Sequence, residues 1–293
     1  MTLEHDTRPL SIDRMGPDDL VETFAFLDRE PVLNVYLAAL VLRDGLAHPR
    51  DSFLAARRDG EIAALLYLGP PSGAILPVGD DDAALAWLAA EARGRLAALP
   101  RRFQVIGTRR AVAPFLAGFA AMGLVPRLER AQTYMAVERG AFAAPQRLPE
   151  LRPAAPEDRD QMFESGVRLR VEELDEDPRD ADALAYARRV EEECRDGHTF
   201  VWAEGGGLRF RACVSAVTAD AAQVSGVYTV PALRNQGIAR RGVGELCLRL
   251  FERSRAACLF VNDANAPAIA VYRRLGFTPR AAWYSAFYTG ARS

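Results

Sequence analysis

The segment Val224–Leu246, VSGVYTVPALRNQGIARRGVGEL, brings together residue types that could bind an anion. Its first part is strand-like. A loop through Arg234, Asn235, Gln236, Gly237, Ile238 and Ala239 then leads into an amphipathic helix. Gly237 lets the backbone approach a ligand closely, and Ala239 keeps the first helical turn uncrowded. The free N–H groups at a helix start, with the positive end of its dipole, suit a pyrophosphate. Arg234, Arg240 and Arg241 add positive charge. The same pattern also describes an ordinary strand–loop–helix junction with solvated arginines, so the loop alone does not decide the chemistry.

A second segment, NDANAPAIAVYRRLGF from Asn262 to Phe277, narrows the reading. It follows a short apolar run, Cys258–Asn262, that reads as a buried strand. Asn265 stands where a helix cap is expected, Pro267 falls in the first turn, and Gly276 ends the helix. Ala268 and Tyr272 lie one turn apart on that helix. Tyr272 supplies a phenol, a weak acid able to protonate a leaving group.

In this order the two segments resemble the GNAT superfamily of N-acetyltransferases. Its acetyl-CoA loop, R/Q-x-x-G-x-G/A, matches Arg234–Ala239, and its downstream Asn-to-Tyr helix matches Asn265–Tyr272. The stretches REPVLNVYL (29–37), RVEEL (170–174) and FVNDANAPAIAVYRRLGF (260–277) are further similar to a bacterial tandem-GNAT family. The resemblance implies a strand whose backbone near Val227, Tyr228 and Thr229 bonds the pantetheine arm of acetyl-CoA. One N–H there would hold the thioester oxygen. It also implies direct attack by an amine, Tyr272 as general acid, and a cofactor site that includes Asn265 and Ala268. Glu172 and Glu173, in the segment expected to line the acceptor pocket, are candidate general bases. Within the acidic run EELDEDPRD they equally fit a solvated helix end.

The elements that must position these groups follow from hydrophobic periodicity. The second half reads as a short strand at Leu151–Pro153, helices over 156–173 and 181–194, and a hairpin turning at Gly205-Gly206-Gly207. A strand at 223–230, a helix at 237–254, the 258–262 strand, a helix at 266–275 and a strand at 282–288 complete it. The first half runs in nearly the same order. FQVIGTRRAVAPFLAGFAAMGL (103–124) and CLFVNDANAPAIAVYRRLGF (258–277) share a strand–helix–glycine plan. This predicts an α/β chain of two tandem GNAT-like domains, residues 1–143 and 150–293. Each would be a mixed, mostly antiparallel sheet flanked by helices. The Pro-rich stretch from Ala143 to Pro156 is the expected linker. The first domain has no R-x-x-G-x-A. Asp80-Asp81-Asp82 stand where a pyrophosphate would lie, and carboxylates there satisfy the helix dipole and repel an anion. That domain is expected to bind no acetyl-CoA.

Composition removes several alternatives. The 293 residues include no lysine, so all 37 basic residues are Arg. A P-loop, a Schiff-base enzyme and a pyridoxal enzyme all require one. Cys194, Cys213, Cys247 and Cys258 form no zinc-type spacing and read as core residues, and the histidines His5, His48 and His198 are scattered; no metal is expected. The net charge of −2 points to neither nucleic acid nor an anionic membrane. No leader pattern or spanning segment is evident, so a reducing cytoplasm is the expected location. The expected co-substrate is acetyl-CoA and the expected acceptor an amine, on a small molecule or a protein. A non-catalytic CoA-binding regulator, a mycothiol-synthase-like transferase acting on a thiol cofactor, and an aminoacyl-tRNA-dependent transferase are the alternatives. The intact CoA loop weighs against the last. Monomer and homodimer are equally compatible with the sequence.

Overall fold

The computed structural model describes residues 9–47, 51–70 and 72–290. His5 and His48 lie outside the described residues. In chain order the first ten elements are β1 (Leu10–Arg14), α1 (Leu20–Leu27), α2 (Val35–Asp44), β2 (Ser52–Arg58), β3 (Glu61–Gly69), β4 (Ala74–Gly79), α3 (Asp82–Gly94), β5 (Arg102–Thr108), α4 (Arg109–Ala120) and β6 (Leu128–Glu138). The next ten are β7 (Arg152–Pro153), α5 (Arg159–Leu174), α6 (Pro178–Glu193), β8 (Thr199–Glu204), β9 (Gly207–Val217), β10 (Ala221–Thr229), α7 (Ile238–Leu250), β11 (Ala256–Asn262), α8 (Ala266–Arg274) and β12 (Thr278–Thr289). The two series run in the same order, so the internal repeat read from the sequence is present element by element.

The chain forms two compact units, 1–134 with 281–293, and 135–280. In the first unit β1 to β4 pair antiparallel in sequence, β4 pairs parallel with β5, and β5 pairs antiparallel with β12. The β2–β3 turn uses Asp59 and Gly60, both at positive φ, as a tight two-residue hairpin requires. Alternate residues of β3 bury opposite faces. Leu66 packs with Leu88 and Phe115 of α3 and α4, whereas Leu65 packs with Phe26 and Leu37 of α1 and α2.

This division departs from the expected boundaries. The last strand was expected to close the second half, yet its residues from Ala281 belong to the first unit. Ala286 and Tyr288 are buried in the cluster of α3 and α4, and the Tyr288 ring stacks on Phe103 at 5.0 Å. Conversely, Met135 and Val137 of β6 are buried in the core of the second unit. The Pro-rich stretch is also more than a linker: Leu148 and Leu151 are fully buried in that same core.

In the second unit β7 to β10 pair antiparallel in sequence and β10 pairs parallel with β11. Gly205 and Gly206 make the β8–β9 turn at positive φ. One sheet face, with Phe210, Val214 and Leu259, packs on Val243 and Leu246 of α7 and Leu275 beyond α8. On the other face Val201 meets Met162 of α5 and Val190 of α6. Two features fix α7. Gly242 lets it approach β9 so closely that a Cβ would stand 2.6 Å from the Phe210 ring. Glu245, 1% exposed, accepts hydrogen bonds from the Arg147 guanidinium at 2.8 and 3.0 Å and from the Leu148 N–H at 3.1 Å. Arg147 first, then the Leu148 N–H and Arg249, hold its carboxyl down at about 2, against the burial that opposes them.

Two outcomes follow. Tyr288→Ala removes a buried ring and should destabilise the first unit by about 3 kcal/mol, read by chemical denaturation. Glu245→Gln should cost about 2 kcal/mol at neutral pH through weakened charge-assisted hydrogen bonds. Because the folded-state pKa of Glu245 lies below its ordinary value, this contribution is complete above about pH 4.5 and fades as pH falls toward 2. Wild type should lose more stability than the Gln variant over that interval.

Candidate active site

The site is built where β10 and β11 part. Their parallel register covers only Ala221↔Ala256, Ala222↔Ala257 and Gln223↔Cys258. β10 continues to Thr229 and β11 to Asn262 beyond that register. On its other side β10 stays paired with β9, but through a bulge. Ser225 faces Cys213 and Tyr228 faces Arg211, so Gly226 and Val227 together oppose one residue. Gly226 takes φ +57, a left-handed conformation that glycine adopts without strain. With a further register shift at Gln223/Val224, the bulge lies just past the last residue paired to β11, and Val227, Tyr228 and Thr229 fall beyond that register.

The loop after β10 holds the residues expected from the sequence to bind an anion. Pro231–Leu233 form a single 3-10 turn, Arg234 is extended, and Asn235 and Gly237 both take positive φ. Gly237 is the N-cap of α7 and no side chain caps that helix. The N–H groups of Ile238, Ala239 and Arg240 therefore open onto the loop, and left-handed residues among them shape an anion-binding concavity. Arg240 is exposed beside them. Arg241 instead lies over the Trp202 ring at 5.1 Å. Gln236 donates to the Ala232 carbonyl at 3.4 Å, and its side chain thus closes the loop on itself.

Arg234 already has partners. Its Nε donates to the Thr229 carbonyl at 3.1 Å, its Nη2 reaches both Glu172 oxygens at 2.8 and 2.9 Å, and the guanidinium lies 5.7 Å from the Tyr228 ring centroid. Glu172 is therefore joined to the loop that precedes α7. Glu173, its neighbour on the last turn of α5, acts on Tyr272, because its charge helps to raise the phenol's pKa. The larger cause is burial: Tyr272 is 6% exposed and tilted against Phe277 at 5.8 Å. The phenol therefore keeps its proton far above its ordinary range. That makes it a steadier donor and a weaker acid than an exposed tyrosine.

Asn265 accepts from the Ala268 N–H at 3.2 Å and caps α8, as its position in the sequence predicts. The geometry brings Thr229, Tyr228, Arg234 and Glu172 together, and sets Glu173 near Tyr272. It gives Asn265 and Ala268 a role at the start of α8. The Tyr228 hydroxyl and Thr229 Oγ1 are buried with no hydrogen-bond partner. Orphaned polar atoms at the open end of β10, beside an uncapped helix start, fit a polar ligand laid along that edge. The pantetheine and pyrophosphate of acetyl-CoA have that chemistry.

Sequence reasoning passed over Gly226, Gly242, Glu245 and Arg211. A glycine inside a strand pattern signals a bulge, and paired glycines inside a helix signal close packing. Those signals were present at Gly226, and at Gly242 and Gly244. Arg211 and Glu245 carry no such mark, since their partners are distant in sequence. Cys213 also differs from the expected core role: the other three cysteines are buried, whereas Cys213 is half-buried beside Thr199.

In the first unit β4 and β5 likewise pair over only Ala74↔Gln104 and Ile75↔Val105. The following helix start is filled from within. Asp81 accepts from the Ala84 N–H at 3.0 Å and is bound by Arg58 at 2.8 Å, while Asp82 pairs with Arg110.

Comparison with known proteins agrees with this geometry. Residues 168–277 match the model of the acetyltransferase (GNAT) family. No curated protein sequence matches the chain. Among solved structures the chain is similar to a GCN5-related N-acetyltransferase from Sphaerobacter thermophilus, at 18% identity over 98% of this chain and 99% of that one, TM-score 0.63. It is similar to a tandem GNAT protein from the clavulanic acid biosynthesis pathway, at 17% identity over 97% and 100%, TM-score 0.55. A GCN5-related N-acetyltransferase from Kribbella flavida matches at 17% identity over 88% and 96%, TM-score 0.55. Residues 168–277 thus match the GNAT acetyltransferase family model, and the chain as a whole has the tandem GNAT fold.

Proposed function

We propose that the second unit is an N-acetyltransferase, moving the acetyl group of acetyl-CoA to an amine by direct attack. The observation that carries this reading is the open edge of β10 beyond Gln223, which runs into the uncapped start of α7. When bound, acetyl-CoA supplies an activated thioester. The N–H groups from Ile238 to Arg240, with the Arg240 charge, bind its pyrophosphate. Backbone groups of Val227, Tyr228 and Thr229 hold the arm that leads to the thioester. An N–H on this edge stabilises the oxyanion that forms on attack.

The bond made is C–N and the bond broken is C–S. The amine gives up a proton, and the departing thiolate gains one from the Tyr272 phenol. Glu173, whose charge reaches the Tyr272 phenol, is the glutamate that relays the amine's proton. The raised pKa of Tyr272 makes full proton transfer to a thiolate costlier than for an exposed tyrosine. Its main contribution is therefore a hydrogen bond to the developing thiolate, completed as a transfer when the thiolate leaves. The first unit binds no acetyl-CoA, because Asp81 and Asp82 already occupy the equivalent helix start.

Calorimetric titration with acetyl-CoA should give one site per chain, lost in an Arg234→Ala, Gly237→Glu double variant. Absence of binding to wild type would end the acetyltransferase reading, and two sites would end the claim about the first unit. Tyr272→Phe should slow acetyl transfer about a hundredfold with acetyl-CoA affinity unchanged. A variant with full turnover would remove Tyr272 from the mechanism. Since its phenol stays protonated, the wild-type rate should show no alkaline loss assignable to Tyr272 below about pH 10.

A further inference from the structure

The sheet face beneath α6 is polar where a core would be expected. Phe210, Ala212 and Val214 of β9 and Val224 of β10 face α7 and are buried in the core there. The alternate residues point the other way, and they are Arg211, Cys213, Ser215 and Ser225. Thr199, Cys213 and Ser225 stand side by side across three strands, in the pairs Thr199↔Cys213 and Cys213↔Ser225. Thr199 Oγ1 lies 3.1 Å from Cys213 Sγ, and Ser215 Oγ accepts from Gln223 at 2.9 Å. Apolar packing of α5 and α6 on the sheet is centred on Val201, with Met162 and Val190. Beside it a cavity of about 370 Å³ remains open over the polar row. A row of hydroxyl and thiol groups left uncovered by an adjacent helix suits a ligand that can hydrogen-bond to it.

The walls of this cavity are charged. Glu192, Glu193 and Asp196 line it with one guanidinium, Arg189, and the imidazole of His198. Glu193 is bound by the buried Arg211 at 3.0 Å and by Arg189 at 3.8 Å, which leaves Glu192 and Asp196 as the outer carboxylates of the wall. The carboxylate excess favours a cation. The cavity ends at Ser225, the residue before the Gly226–Val227 bulge, so its occupant sits next to the edge assigned to the thioester.

Resting on the acetyltransferase reading above, we infer that this cavity is the acceptor site and that the acceptor is a hydrophilic amine with more than one cationic or hydroxyl group, not an apolar amine with a single ammonium group. The floor offers hydrogen bonds to such a molecule, and an apolar amine would leave the same groups desolvated and unpaired. A second ammonium group remains charged after the reacting one has lost its proton, and Glu192 and Asp196 hold it.

Cys213 provides a direct readout, being the one cysteine of the four that is not buried. The full-length protein is labelled with N-ethylmaleimide and followed by intact mass, with Cys213→Ser as the unlabelled control. Spermidine at about ten times its dissociation constant should slow labelling about tenfold. Phenethylamine at the same concentration should not. The Glu192→Gln, Asp196→Asn double variant changes only exposed side chains and should lose the spermidine protection while labelling at the wild-type rate without amine. Equal protection by phenethylamine would overturn the assigned acceptor class. No protection by spermidine, or protection that survives the double variant, would overturn the site. Acetyl-CoA binding is measured separately, so failure of the transferase reading is told apart from failure of the acceptor assignment.

Discussion

The functional unit depends on one backbone constraint, the bulge at Gly226–Val227. A parallel strand pair held along its whole length has no room for a ligand, because every N–H and C=O between the strands is already used. Here two residues of β10 are set against one of β9, and this bulge, together with a register shift at Gln223/Val224, follows the end of the register with β11 at Gln223 and Cys258. The polar edge left over needs partners, which the peptide-like amides of the proposed acetyl-CoA would supply. Past that edge β10 runs into the loop that precedes α7.

Everything around that edge is arranged to keep it in place. α7 is seated by the close approach at Gly242 and by Glu245, which joins it to Arg147 and Leu148 of the Pro-rich stretch. A buried carboxylate is costly unless its hydrogen bonds are satisfied, and those of Glu245 are supplied by a segment nearly a hundred residues away. The Pro-rich stretch is thus part of the second core. The last turn of α5 extends the same logic to the chemistry: Glu172 reaches the loop that precedes α7 through Arg234, and Glu173 influences the Tyr272 phenol.

The two repeats show how one plan supports different ends. Both have a parallel strand pair with a short register followed by a helix start. In the second unit that start has no side-chain cap, and Gly237 leaves it open. In the first it is closed by Asp81, which accepts the Ala84 N–H and is neutralised by Arg58. An anion binds at a helix start only when the protein has not already placed one there.

The alternation of strand and helix patterns, the Gly205-Gly206 and Asp59-Gly60 turns, the Asn265 cap and the Gly237 loop were all legible along the chain. Each is a local matter: φ above zero favours glycine, a cap needs a short polar side chain, and a buried face has a period. Contacts between distant residues were not legible. That β12 from Ala281 completes the first unit was decided by Phe103 and Phe119, which form the pocket for Tyr288. Glu172 looked like one more solvated acid until the fold set Arg234 beside it. Arg211 and Cys213 read as strand residues of no particular kind, and only the stacking of α6 over β8–β10 turned their face into a polar floor. Sequence determines the local conformations because they depend on neighbours along the chain. The site's electrostatics and accessible edges depend on neighbours in space, and tertiary packing alone chose those.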